Sequence, residues 1–557
     1  MPPAGVTVPP VDGSPAPGGT PSATGSLTVV RDQQPAETGQ PVRGGTLRLI
    51  RPGSIGEPGD YSPSAMRQDQ QVAVSYLDPL LRPDPETMEP RPWLAERWSW
   101  SPDHTVVTFG LRRDVMWHDG TPFTAADVAF TLTVYRDDVE SGVRNFFALM
   151  AAVEVVDDWT VRVLLDGPDG GWLLNASTQL MFQRAQYETY WQENPVGERT
   201  LSGYDWTEHR PIGTGPWKLG EPVAGKVRFE RNDAYWAGAP YFDDLEIARS
   251  RRTSGRIRAW RRGEADVLWP LAPGDLDQVS DRDGRLFVAD AASVMFAAFN
   301  FASSARDGGS IFGDLRVRQA LSLGIDRGQY ARSVFKDYIR EEAVGTIAQP
   351  WAHYDSLTSP AADPVAARSL LRKAGWVDRD KSGLLENIDG VPLALAVIAR
   401  DGSRPELVAT LENVARQLKK IGISLDVASL PPDEFRERWT VTRDYDLIAY
   451  AFDLYPGFTD FDLYGSGWDI RVNSQGWNPG GYRNAEVDDA VDAALAAVDL
   501  PAQRNALVEL QRAVNDDLFA LWLGFPQTLI LAQPDLHGFT PNTSWQTWDT
   551  RLLWREL

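Results

Sequence analysis

The sequence predicts an α/β protein with more than one lobe. Three observations carry that prediction. Strand-like and helix-like patterns interleave along the chain with no repeat period. The chain has 557 residues, more than one compact core organises. Its apolar fraction, 43%, is that of a globular protein.

The elements follow in order. Residues 1–40 hold eight prolines and six glycines. Such a segment forms no periodic core-facing element and reads as a flexible linker, a tether between a globular body and an anchor. The body opens at "GGTLRLI" (44–50), a glycine pair and a strand. "TVVTFGLR" (105–112) alternates, with Val107, Phe109 and Leu111 on one face. "EVVDDWTVRVLL" (154–165) reads as two strands around an Asp-Asp turn, and "KVRFERN" (226–232) as another strand. Helices are expected at 124–136, 316–327, 363–374, 405–420 and 485–497. "LFALWLGF" (518–525) fits a buried strand or helix, and "LILAQ" (529–533) a late strand.

Composition removes several function classes. The formal net charge is −22, from 77 acidic and 55 basic residues. The chain as a whole repels phosphate backbones, so nucleic acid is not an expected partner. With no cysteine there is no disulfide, thiolate metal site or cysteine nucleophile. No apolar run approaches 18 residues, so no membrane-spanning helix is expected. Tryptophan is abundant, at 21 residues, and supplies amphipathic surface for cores and ligand platforms.

One stretch looks chemical: "RRDVMWHDGTPFTAADVAFTL" (112–132). Trp117, His118 and Asp119 adjoin. Neighbours on a strand point to opposite faces, which argues against a paired acid and base. The other histidines (His104, His209, His353, His537) have no metal-ligand spacing. Asp119-Gly120 makes a turn, Thr124 with Asp127 begins a helix as a capping box, and Val128, Leu132 and Tyr135 form its apolar stripe. The expectation is a strand–turn–helix joint.

"PWLAERWSWSPDHTVVTFGLRRDVMWHDGTPFTAADVAFTL" (92–132) resembles the signature of the family 5 extracellular solute-binding proteins, the peptide/nickel/oligosaccharide receptors of ABC importers. Further segments are similar in order: "PIGTGPWKL" (211–219), "RNDAYWAGAPYFDDLEI" (231–247), "GEADV" (263–267), Phe299-Asn300, "DLRVRQALSLGIDR" (314–327) and "ARSLLRKAGW" (367–376). The resemblance covers about 44–557.

It implies a two-lobe periplasmic-binding-protein fold (type II, large cluster C type) with an extra subdomain on lobe I. Lobe I would span 41–298 plus 525–557, with the subdomain near 78–208. Lobe II would span 299–524, and two crossing segments would form the hinge. The implied role is capture of a solute outside the cytoplasmic membrane, closure around it and delivery to a permease, without chemistry on the ligand. The implied protein is a monomer held to the membrane by an N-terminal lipid anchor, with no cofactor and no catalytic or metal site.

The resemblance also directs the ligand assignment. Peptide-binding members set an aspartate of lobe II against the peptide α-ammonium. The matching region is "YAFDLYPGFTDFDLYGSGWD" (450–469). Asp460 matches best, although the family's Asp-Pro is here Asp460-Phe461; Asp453 and Asp462 stand behind it. Trp269, Tyr455, Phe458, Trp468 and Trp477 are candidate cleft aromatics, and Asn300 a candidate polar contact. Flat aromatic walls suit peptide side chains and sugar faces alike, so an oligosaccharide is the alternative ligand. Nickel is disfavoured by the lack of a His-rich constellation. A glycosidase using paired carboxylates with Trp subsites is a third, weaker reading.

Two other features invite a site. "RSRRTSGRIRAWRR" (249–262) has seven arginines; one reading is an anion site in which an arginine fork meets a ligand carboxylate, and the favoured one is a solvated helix with Ile257 and Trp260 inward. "DRDKSGLLENID" (378–389) partly mimics a calcium loop through Asp378, Asp380, Ser382, Gly383 and Asp389 but lacks the final Glu. It reads as an acidic turn.

Overall fold

A computed structural model describes residues 27–31, 39–52, 70–84, 87–204, 210–221, 223, 225–290, 293–302, 310–341, 351–353, 356–402, 404–453, 461, 463–473, 476–540 and 549–556. Three sheets organise it. An eight-stranded sheet has the order Leu27–Arg31, Gly284–Ala289, Thr528–Ala532, Val267–Leu271, Thr46–Arg51, Asp244–Arg249, Lys226–Arg231, Trp217–Leu219. A six-stranded sheet has the order Ile339–Arg340, Ala520–Pro526, Ser293–Phe299, Leu447–Asp453, Ala394–Arg400, Ser424–Leu430. A four-stranded antiparallel sheet joins Ala95–Trp100, Val106–Leu111, Thr160–Leu165 and Met150–Asp157. The chain leaves the larger sheet after Ala289, enters the second at Ser293, and returns at Gln527. This is a two-lobe α/β architecture with a smaller sheet added to the first lobe.

Burial follows the patterns. Ser293–Phe299 and Ala520–Pro526 are buried at every position. Met295, Ala297 and Phe299 enter one core while Val294, Phe296 and Ala298 enter another, as expected for a strand covered on both faces. Thus "LFALWLGF" becomes a strand from Ala520 onward. The helices Ala125–Asp137, Pro364–Lys373, Pro405–Lys419 and Ala485–Ala496 form as expected. Asp363 begins the second by accepting from the Val365 and Ala366 amides, with Pro364 in the first turn.

Two expectations need correction. The segment 316–327 is not one helix. It ends at Leu323, Gly324 caps it, and Asp326 precedes a second helix, Arg327–Phe335. The segment taken as a linker contains a strand, Leu27–Arg31, parallel to Gly284–Ala289. A short β-branched run (Thr28, Val29, Val30) is outweighed there by the composition of 40 residues.

The stretch 112–132 is a structural joint. The Asp127 carboxylate accepts from the Thr124 amide (2.9 Å), the Arg184 amide (2.9 Å) and the Trp117 indole N–H (3.3 Å). His118 bridges to the Gly-Thr-Gly segment: the Gly213 amide donates to Nδ1 (3.2 Å) and Nε2–H donates to the Gly215 carbonyl (3.0 Å). Burial pushes its pKa down to about 4. It is a neutral imidazole with both nitrogens engaged, not an acid or base. The neighbouring motifs converge on Asp78, whose buried carboxylate accepts from Trp93 Nε1 (2.8 Å), Tyr235 Oη (2.8 Å), Thr214 Oγ1 (2.9 Å) and Trp236 Nε1 (3.4 Å). The segments at 92–93, 213–215 and 232–236 are therefore parts of one buried joint.

Candidate interlobe cleft

Sheet polarity gives a candidate position for the site. In the larger sheet, Leu27–Arg31, Thr46–Arg51, Asp244–Arg249, Val267–Leu271 and Gly284–Ala289 run parallel and end along one edge. The chain leaves that edge at Ala289 for the second sheet. There, Ala394–Arg400, Ser424–Leu430 and Leu447–Asp453 also end on the side where Ser293 enters and Pro526 departs. The two carboxyl edges thus meet at the crossing. In open α/β sheets ligands bind beyond the carboxyl ends of strands.

The crossing itself is tied by polar groups. Asp290 accepts from Gln527 Nε2 (3.0 Å) and pairs with Arg340 (3.0 Å). The Gln527 amide donates to the Tyr338 carbonyl (3.1 Å). These residues sit where a hinge must absorb rotation.

On the first lobe, Arg51 and Arg249 end adjacent parallel strands in register. They follow Leu49 and Ile247 on one sheet face, and Trp269 lies on that face too. The Arg51 guanidinium stacks on Trp269, 4.5 Å from the ring centre. Burial, and then the neighbouring Arg249 charge, lower the Arg51 pKa to about 9, so it stays a cation at neutral pH. On the second lobe, four aromatics cluster: Phe435, Trp439, Tyr450 and Trp477. Trp439 lies 5.4 Å from Trp477 and 6.1 Å from Tyr450, which packs edge-on against Phe435. Trp477 is 42% exposed. The Tyr450 hydroxyl and Trp439 indole N–H are buried with no hydrogen-bond partner among the described residues. Burial raises the Tyr450 pKa well above 10. This wall offers apolar surface with two polar atoms inside it.

The candidate residues fare differently. Trp477 joins the aromatic cluster, and Trp269 lies on the first lobe, 5% exposed beneath Arg51. Trp468 is half-buried in the short turn Ser466–Trp468, and its carbonyl accepts from the Asn478 amide. Asp453 ends the strand at the cleft edge. Asp460, Asp462, Tyr455 and Phe458 lie outside the described residues. Asn300 is a correction. It is fully buried, at the strand end away from the crossing, and donates to the Arg443 and Tyr445 carbonyls. A side chain held by backbone carbonyls there does not reach the cleft.

Trp439, Tyr450 and Arg51 were not singled out as ligand residues from sequence, and Arg249 was noted only as one of the arginines of 249–262. For Tyr450 the available signal was its place three residues before Asp453 on an apolar strand. Two other arginines of that run serve the fold: Arg256 donates to the Ser250 carbonyl (2.9 Å) and Arg261 pairs with Asp281 (2.6 Å). In the loop 378–389, Asp380 accepts from the Ser382 amide and Asp378 from the Gly383 amide. Among the described residues no three acids or histidines converge as a metal site, and no helix is long and apolar enough to cross a membrane.

Known proteins share this fold. The chain is 24% identical over 503 residues to the oligopeptide-binding protein AppA of Bacillus subtilis, covering 87% of this chain and 88% of that protein. The structure of AppA in complex with a nonapeptide superposes with a TM-score of 0.71 at 21% identity, over 93% of this chain and all of that one. NikA from Brucella suis, in complex with Fe(III)-EDTA, superposes with a TM-score of 0.75 at 22% identity, over 92% of this chain and all of that one. Residues 89–471, well over half of the chain, match the description "Bacterial extracellular solute-binding proteins, family 5 Middle". The chain therefore belongs to the family 5 bacterial extracellular solute-binding proteins.

Proposed function

We propose that this protein is the extracytoplasmic receptor of an ABC importer, that it captures peptides between its lobes, and that it delivers them to membrane permease subunits. The observation that carries the reading is the pairing of two chemically different walls at one hinge. One wall holds two arginines and an indole, and the other is aromatic and ends at Asp453. A peptide carries side chains for the aromatic wall and an ammonium for a carboxylate. Asp460 is the proposed ammonium partner, with a charge-assisted bond of about 1.5–3 kcal/mol. The reading includes an N-terminal lipid anchor, action as a monomer, and binding without catalysis.

A thermal-shift panel tests it. Peptides are expected to raise the melting temperature and β-linked oligosaccharides are not. Stabilisation by sugars alone would replace the peptide reading with the oligosaccharide one, and hydrolysis of either would make the protein an enzyme. Asp460→Ala is expected to abolish the peptide shift; an undiminished shift removes Asp460 from the site.

A further inference from the structure

The lobes also touch far from the hinge in sequence. The segment 169–176 belongs to the added subdomain of lobe I, where Trp172 packs on Phe109 and Phe147. Two residues on, Leu174 is buried in the core of lobe II among residues of the helices Ala485–Ala496 and Leu500–Asp516. Gly170 makes the polar contact. Its amide donates to the Leu495 carbonyl (2.7 Å), and its carbonyl accepts from the buried Gln503 side chain. A Cβ at Gly170 would lie 2.7 Å from the Ala494 carbonyl oxygen and closer still to that of Ala497. Both atoms are backbone of the other lobe. The Gly170 φ lies outside the left-handed range, so an alanine suits its own backbone and collides only across the seam.

We propose that Gly170 and Gln503 form a closure latch: the contact exists when the lobes are closed, breaks as they part, and sets how long a captured solute is held. A body whose two lobes join between Ala289 and Ser293 and at Gln527 cannot rotate open while Leu174 stays in the lobe II core. The latch adds differential free energy to the closed state alone, which is what shifts a two-state equilibrium. Its effect on ligand retention rests on the receptor reading. Its effect on closure does not.

The experiment uses that independence. The chain has no cysteine, so Val196→Cys and Val365→Cys introduce a clean label pair. Val196 is 83% exposed near the added subdomain and Val365 77% exposed on lobe II. Distances between the spin labels are measured by pulsed electron resonance without ligand. Gly170→Ala and Gln503→Ala are each expected to raise the open-to-closed ratio about three- to tenfold, lengthening the mean distance. Circular dichroism checks that each variant folds; Gln503→Ala, which leaves only a small gap, carries the test if Gly170→Ala does not fold. A distance distribution unchanged from the parent overturns the latch. If the distances lengthen but no peptide binds any variant or the parent, the latch stands and the peptide reading falls.

Discussion

His118 illustrates how a residue that looks catalytic is tied down by its environment. Its two nitrogens bond to the backbone at Gly213 and Gly215, and burial holds its pKa at about 4 against 6.5 in the free side chain. Between those values the unfolded chain binds a proton that the folded chain refuses. Stability contributed at neutral pH is therefore lost as pH falls from 6.5 toward 4, by at most about 3 kcal/mol. Burial raises the Asp169 pKa to about 6, which acts in the opposite direction over part of that range. A difference measurement isolates the histidine. The unfolding free energy of the parent minus that of His118→Gln, from urea titrations, is expected to shrink as pH drops from 7 to 4. A difference independent of pH contradicts the assignment. The local role was legible in sequence because turn, cap and stripe lie within 21 residues. The partners at 213–215 were not, since no local spacing reports a contact 95 residues away. Asn300 was misread for the same reason: the carbonyls that hold it belong to residues 443 and 445.

At the scale of elements, periodicity gave the strands and most helices, because each buries a face whose spacing is written in the chain. Gly324 and Asp326 mark a helix break that the apolar pattern runs across, so two helices read as one. The aromatic wall shows the other limit. Phe435 and Trp439 come from one helical segment, Tyr450 from a strand and Trp477 from a loop, and only the sheet order assembles them. Trp439→Ala removes the ring between Tyr450 and Trp477. Peptide affinity measured by calorimetry is expected to fall about 5- to 100-fold in a variant that circular dichroism shows to be folded. Full affinity in that variant would move the ligand away from this wall.

At the scale of the whole molecule, the two large sheets meet by their carboxyl edges at Asp290 and Gln527. The family resemblance supplied this architecture, because the ordered segments span the chain. The same sequence did not disclose the seam at Gly170, which depends on how the added subdomain approaches lobe II. A receptor of this design holds its solute by closing, and a solute held that way survives gentle purification. Native mass spectrometry of protein purified without refolding reads the bound solute itself. One retained peptide, or a family of peptides, per chain is expected, released on unfolding. Retention of an oligosaccharide, or a single unliganded mass that no added peptide shifts, would contradict the peptide reading.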